Sequence, residues 1–249
     1  MEMEEIIDPR ISVIKKRLTG VKNIIAVASG KGGVGKSMVS SLLALYLATK
    51  KRKVGLFDLD VYGPSTHIIL GIPHQRFPEE DKGIIPPVFN GIKFMSIVFY
   101  SEDKPGAFRG IDVSNIIREL LAITQWGTLD YLILDLPPGI GDETLDTINL
   151  VQPTGFLVIS TPSRVAMGAV EKLLNLLLEL RLPITGVIEN MKIGDSNYVK
   201  QTVTSKDVRY LGSIQFDSTL EEAIGDPSKL LKTLFIKDLE KIIEETRLL

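Results

Sequence analysis

Apolar residues in this chain of 249 residues gather into two kinds of stretch that alternate from one end to the other. One kind is a short unbroken run such as Ile24-Ile25-Ala26-Val27-Ala28, with further runs at 53–60, 130–136, 155–160, 184–189 and 210–216. A strand with one wet face would alternate apolar and polar residues, so unbroken runs predict strands covered on both faces. The other kind repeats at helical spacing, at 38–48, 112–125, 165–180, 220–224 and 230–245. In the last of these, Leu231, Leu234, Phe235, Leu239, Ile242 and Ile243 make one face, and Asp226-Pro227 reads as the break before it. Ile6, Ile7, Ile11, Val13, Ile14 and Leu18 stand among charged residues at the start and predict a short helix that Gly20 ends. The expected organisation is a helical lead-in at 1–22 and a single domain at 23–249.

Strand then helix, repeated, predicts an α/β fold with a mostly parallel central sheet and helices on both faces. In such sheets ligands sit at the carboxyl ends of the strands. Residues 61–110 interrupt the alternation. Tyr62-Gly63-Pro64-Ser65 opens a loop and a short helix through Leu70, and 71–83 is polar, proline-broken and read as a mobile loop. The arms 84–88 and 92–98 flank Phe89-Asn90-Gly91, where Asn-Gly signals a hairpin, and 100–110 reads as a loop.

The first strand runs straight into Gly30-Lys31-Gly32-Gly33-Val34-Gly35-Lys36-Ser37, and a helix follows. Strand, G-x-x-x-x-G-K-S, helix is the order of a phosphate-binding loop. Its glycines let successive N–H groups turn inward, so the amides of Gly30, Lys31, Gly32, Gly33, Val34, Gly35, Lys36, Ser37 and Met38 form a nest for an anion at the positive end of the helix. A triphosphate collects many such weak contacts at once. Lys36 is placed to reach its β- and γ-phosphates and the Ser37 hydroxyl to hold Mg²⁺.

Carboxylates stand where two other strands end. The run at 53–60 closes in Asp58-Leu59-Asp60, at the same end of the sheet as the loop, and the run at 130–136 carries Asp135 at its tip. A buried strand ending in aspartate, paired with a phosphate loop, predicts a magnesium shell drawn from Ser37, Asp58, Asp60 and Asp135. Pro137 and Pro138 then stop the strand and leave the Gly139 N–H free to approach a phosphate.

Charge and composition narrow the partners. A net charge of −2 with a pI near 5.8 argues against a broadly basic nucleic-acid binder. No apolar run approaches the roughly 18 residues of a membrane span, and the start Met1-Glu2-Met3-Glu4-Glu5 lacks a basic leader. Expected partners therefore include neither nucleic acid nor membrane, and the expected location is the cytoplasm. Cysteine is absent, so thiolate metal sites and disulfides are excluded on this sequence, while His67 and His74 belong to no ligand-spaced cluster.

Lys31 adds a second cation that the generic loop does not require. With it, the loop resembles the deviant loop of the MinD/ParA/ArsA/Mrp class of P-loop ATPases. Beyond the loop, Asp58-Leu59-Asp60-Val61-Tyr62-Gly63-Pro64-Ser65, Trp126-Gly127 with 130–142, and Ile188-Glu189-Asn190-Met191 make the chain similar to the Mrp/ApbC branch over residues 22–228. The resemblance implies slow hydrolysis of ATP with Mg²⁺ in a homodimer that holds nucleotide at its interface, with Lys31 crossing to the partner's nucleotide. It implies that Asp60 positions or deprotonates the attacking water, that Asp135 is the switch carboxylate and that Asn190 reads adenine. The protein partner is left unknown. Cluster-carrying members of the family place Cys-x-x-Cys after the Glu-Asn-Met segment, and 192–210 here has none, so no iron–sulfur cluster is expected on this chain alone. Arg109-Gly110 matches the family, whereas Ile111 and Ile140 replace a usual proline and threonine.

Overall fold

The computed structural model describes residues 8–73, 77–100, 110–139 and 141–246, with the side chains of 110–112 left out. His74, Arg109, Ile140 and most of the loop expected at 100–110 lie outside the described residues.

In chain order, α1 (Arg10–Leu18) leads into β1 (Val21–Ser29), the phosphate loop and α2 (Lys36–Thr49). Then come β2 (Val54–Asp58), α3 (Thr66–Leu70), β3 (Glu79–Glu80), β4 (Ile84–Ile85), β5 (Val88–Phe89) and β6 (Ile92–Ser96). After these follow α4 (Gly110–Ile123), β7 (Leu129–Asp135), α5 (Asp142–Val151), β8 (Gly155–Ser160) and α6 (Arg164–Glu179). The chain continues through β9 (Ile184–Lys192), α7 (Tyr198–Thr204), β10 (Tyr210–Gln215), α8 (Pro227–Leu230) and α9 (Leu234–Thr246).

Eight strands form one sheet in the order β10-β9-β8-β1-β7-β2-β6-β5, with every pair parallel except the terminal β5–β6. Every residue of β2 and β8 is buried. Since successive side chains point to opposite faces, both faces of the sheet are covered, as the unbroken apolar runs require. The covering helices fall into groups: α2 packs with α3 and α9, and α1 packs with α4 and α5. Strand β1 lies between β7 and β8, and the chain passes from β1 to β2 on one side and reaches β8 on the other. Such a reversal opens a crevice at the carboxyl end of β1, where the phosphate loop begins.

Several local expectations change. The Asn90-Gly91 turn exists, with φ of 49° and 79° at its two residues and Phe89 paired to Ile92. Its first arm is broken, because prolines at 86 and 87 cannot donate to a ladder; Ile84 and Ile85 pair instead with Glu79 and Glu80, inside the stretch expected to be irregular. Asp226-Pro227, expected as a break before the last helix, starts a short helix of its own. The Asp226 carboxylate accepts from the Ser228 and Lys229 N–H groups, and Pro227 occupies the first helical position, where no N–H is needed. The last helix therefore begins at Leu234; Leu231 and Leu234 are exposed, and Ile236 joins the buried face with Phe235, Leu239, Ile242 and Ile243. The helix expected at 220–224 is a single 3₁₀ turn at Glu221–Ala223.

Candidate nucleotide site

Two glycines give the loop its shape. Gly33 and Gly35 have φ of 77° and 82°, a region that a Cβ makes costly. At Gly30 the constraint is space, since a Cβ there would lie 2.3 Å from the Ala169 carbonyl carbon of α6. Gly30→Ala is accordingly expected to destabilise the fold by roughly 1–3 kcal/mol through overpacking against backbone; an unchanged thermal midpoint would show that α6 does not brace the loop. Helix α2 opens without a side-chain cap and without an acidic residue in its first turn. Its leading N–H groups and positive dipole end are thus left for an external anion.

Strand register brings the acids together. Asp135 is aligned with Val27 of β1 on one side and with Asp58 of β2 on the other. Asp135 is fully buried and Lys36 nearly so, and their ion pair is 2.7 Å long. The Ser37 Oγ donates to Asp135 Oδ2 at 2.6 Å and the Ser40 Oγ to Oδ1 at 2.7 Å. One carboxylate therefore gathers the loop lysine, the first hydroxyl of α2 and a second hydroxyl one turn on. Ser37 Oγ and Asp135 Oδ2 are hard oxygen donors at a helix N-terminus. That set suits Mg²⁺, which is held by one or two protein oxygens with water and phosphate completing its shell. Among the described residues, no group of three or more His, Cys, Asp or Glu could cage a metal unaided.

Asp58 departs from its expected place in that shell. Its Oδ1 accepts from the Asp60 N–H, and its Oδ2 from the Ser65 and Thr66 N–H groups and the Thr66 hydroxyl, the last at 2.6 Å. Both oxygens are engaged in pinning the loop that follows β2. Burial, and then the neighbouring Asp135 carboxylate, push its pKa up to about 7. Asp60 is half-buried on that loop, with Oδ1 accepting from the Gly63 N–H at 3.1 Å. Gly139 also departs from expectation: its N–H donates to the Ser29 carbonyl at 2.9 Å and so ties the β7 exit to the end of β1.

A cleft of about 510 Å³ opens beside the loop. Its near wall is Lys31, Gly32, Gly33, Gly35, Lys36, Ser37 and Met38, with Asn190 and Met191 from the end of β9 against the loop; its far wall is Gln215 at the end of β10 and Phe216, Asp217 and Ser218 from the turn that follows. Asn190 is buried, and its Nδ2 donates to the Val34 carbonyl at 2.9 Å, so its amide group braces the loop. A Cβ on Gly35 would fall 2.1 Å from that same Nδ2. Met191 holds φ of 56°, a left-handed conformation costly for a residue with a Cβ, at the point where β9 meets the cleft. Asp217 shapes the turn: Oδ1 accepts from the Thr219 N–H and hydroxyl and Oδ2 from the Leu234 N–H at the start of α9. Those bonds, led by the Thr219 hydroxyl, lower its pKa.

The loop, the buried Lys36–Asp135 pair and the switch-point cleft together define a P-loop NTPase site. A family model described as ParA, NUBPL iron-transfer P-loop NTPase, matches residues 20–245. The chain belongs to that family.

Comparisons with individual proteins agree. An iron-sulfur cluster carrier protein of Aquifex aeolicus is 40% identical over 223 residues, covering 84% of this chain and 61% of the relative. One from Saccharolobus solfataricus is 39% identical over 232 residues, covering 86% and 78%. Among solved structures, a nucleotide-binding protein from Archaeoglobus fulgidus in complex with ADP superimposes with a TM-score of 0.75 at 32% identity, over 88% of this chain and 92% of that one. The chain thus spans less than two thirds of the Aquifex relative's length.

Against that NUBPL frame, the structure brings together Lys36, Ser37 and Asp135, with Asp58 on the adjoining strand, and places Lys31 exposed on the rim of the cleft. It leaves Asp60 out of the cleft lining, although Ser65 of the same loop belongs to it, and it adds Ser40 and the turn 215–218, neither of which was expected. The turn carries no motif. The one available signal is its place at the carboxyl end of a parallel strand.

Proposed function

We propose that the chain binds MgATP on the 30–37 loop and hydrolyses it slowly, as a nucleotide-switched homodimer with nucleotide at the interface. It serves a protein partner yet to be identified, in the cytoplasm, and carries no iron–sulfur cluster on its own residues. The observation that supports this best is the shared grip of Lys36 and Ser37 on the buried Asp135. A lysine, a hydroxyl and a carboxylate at one helix N-terminus are the parts needed to hold a polyphosphate and its metal together.

In this reading Lys36 Nζ exchanges Asp135 Oδ1 for the β- and γ-phosphate oxygens, while the amides of the loop take the remaining phosphate charge. Ser37 and Asp135 would hold Mg²⁺, which would supply neutralising charge to the phosphates. Asp60 orients or deprotonates the attacking water, and Lys31 of the second protomer adds a cation where charge grows on the transferred group. Asn190 and Met191, with the turn at 215–218, receive the base. Turnover compared between the wild type and Asp60→Ala separates an ATPase from a regulator that only binds. Equal rates in the two would leave binding alone. A membrane-riding role finds no support in α9, whose exposed positions belong to a helix holding two lysines and four carboxylates.

Relatives are named as cluster carriers, and this chain has no cysteine to offer a cluster. Bridging clusters of four irons take four thiolates. Anaerobic reconstitution of the purified homodimer with iron and sulfide is expected to give no protein-bound cluster absorbance. A stoichiometric cluster would overturn the proposal that cargo, if any, is held by a different subunit.

A further inference from the structure

On the reading of the site proposed above, we infer that Ser40 is a positioning residue that keeps Asp135 aimed at the metal shell while nucleotide is bound. Ser40 lies four residues beyond Lys36, on the same face of α2 and fully buried. A serine inside a helix ordinarily bonds back to the carbonyl four residues earlier. That partner is available here, the Lys36 carbonyl at 3.1 Å, but Asp135 Oδ1 is closer, at 2.7 Å. A hydroxyl has one proton to give, and the charged acceptor at the shorter distance takes it.

The consequence appears when the donors on Asp135 are followed through binding. Three side chains hold this carboxylate: Lys36 and Ser40 on Oδ1 and Ser37 on Oδ2. Bound phosphate would draw Lys36 away, and Ser37 would turn its oxygen to Mg²⁺. Ser40 alone among the three has no other duty. A fully buried carboxylate left with a single fixed donor on Oδ1 keeps its orientation, and Oδ2 stays turned toward the position of the metal. Without that donor, the same carboxylate is free to rotate, and outer-shell losses of this kind cost about 10–100-fold in metal affinity.

Ser41 supplies the control within the same helix. It too is fully buried, but its hydroxyl has no hydrogen-bond partner among the described residues. Replacing it removes one oxygen from the core without touching Asp135.

The test is binding of a fluorescent ATP analogue, mant-ATP, titrated with Mg²⁺ and repeated in EDTA, on wild type, Ser40→Ala and Ser41→Ala. Ser40→Ala is expected to raise the Mg²⁺ concentration for half-maximal enhancement about 10–100-fold, with affinity in EDTA unchanged and a thermal midpoint lowered by the loss of one donor to the buried Asp135 charge. Ser41→Ala is expected to follow the wild type throughout. No shift in Ser40→Ala, or an equal shift in both variants, overturns the inference. Failure of the wild type to bind mant-ATP at any Mg²⁺ concentration would instead overturn the nucleotide site itself, and the two failures are read from different samples.

Discussion

Lys36→Ala is expected to weaken MgATP binding by a factor on the order of 100 or more. Hydrogen bonds to charged groups contribute about 1.5–3 kcal/mol each, and Lys36 is placed to make more than one with the β- and γ-phosphates. A second effect accompanies the first. The Lys36–Asp135 pair is buried at 2.7 Å, and removing one partner leaves the Asp135 charge with only the Ser37 and Ser40 hydroxyls. Breaking a buried pair typically costs about 3–5 kcal/mol, and two remaining donors offset part of that. The variant should therefore melt lower than the wild type as well as bind worse. Calorimetry on folded protein, at a temperature below both midpoints, keeps the two effects apart. Equal MgATP affinity in the two proteins would remove the phosphate-loop assignment.

The other large effect is expected at Lys31. A cation brought to the transferring phosphoryl group is worth roughly 10³–10⁵ in rate, so Lys31→Ala should be nearly inactive. Asp60→Ala should be nearly inactive for a different reason, loss of the group that handles water, worth about 10²–10⁴. Mixing the two inactive proteins distinguishes action within a chain from action across a two-fold interface. In a mixed dimer one site has an intact Asp60 facing an intact Lys31, and the other has neither. Equal amounts would place about half of the chains' pairings in mixed dimers with one working site each, so recovery of about a quarter of wild-type turnover is expected. If mixed dimers are shown to form and activity stays absent, Lys31 acts within its own chain or not at all.

Spacing alone made the phosphate loop readable, because glycines, Lys36 and Ser37 at fixed offsets have a chemical reason to be there. Asp58 and Asp135 were readable as pairs of strand tips, since an unbroken apolar run that ends in acid has few other uses. Direction was not readable. Nothing in the residue order says that the Gly139 N–H turns back to Ser29, that Asn190 spends its Nδ2 on Val34, or that Asp58 serves the loop at 60–66. Besides α8, two longer helices were not readable. Helix α7 is built from Tyr198-Val199-Lys200-Gln201-Thr202-Val203-Thr204, whose β-branched residues favour strand, and its form is decided by burial of Val199 and Val203 one turn apart. Helix α5 hides its inner face behind threonine: Thr144 and Thr147 are buried beside Ile148 and Val151, so no apolar period is visible.

Asp217 gives the end of the chain a mechanical hold on the cleft. One carboxylate oxygen closes the turn that lines the far wall, and the other holds the first N–H of α9. The turn and the helix are thereby two arms on one pivot. On the proposed reading, a base that wedged the turn outward would strain the bond to Leu234. Faster amide exchange at Leu234 on nucleotide binding is the expected result, and unchanged exchange would show that the cleft and the last helix are not linked.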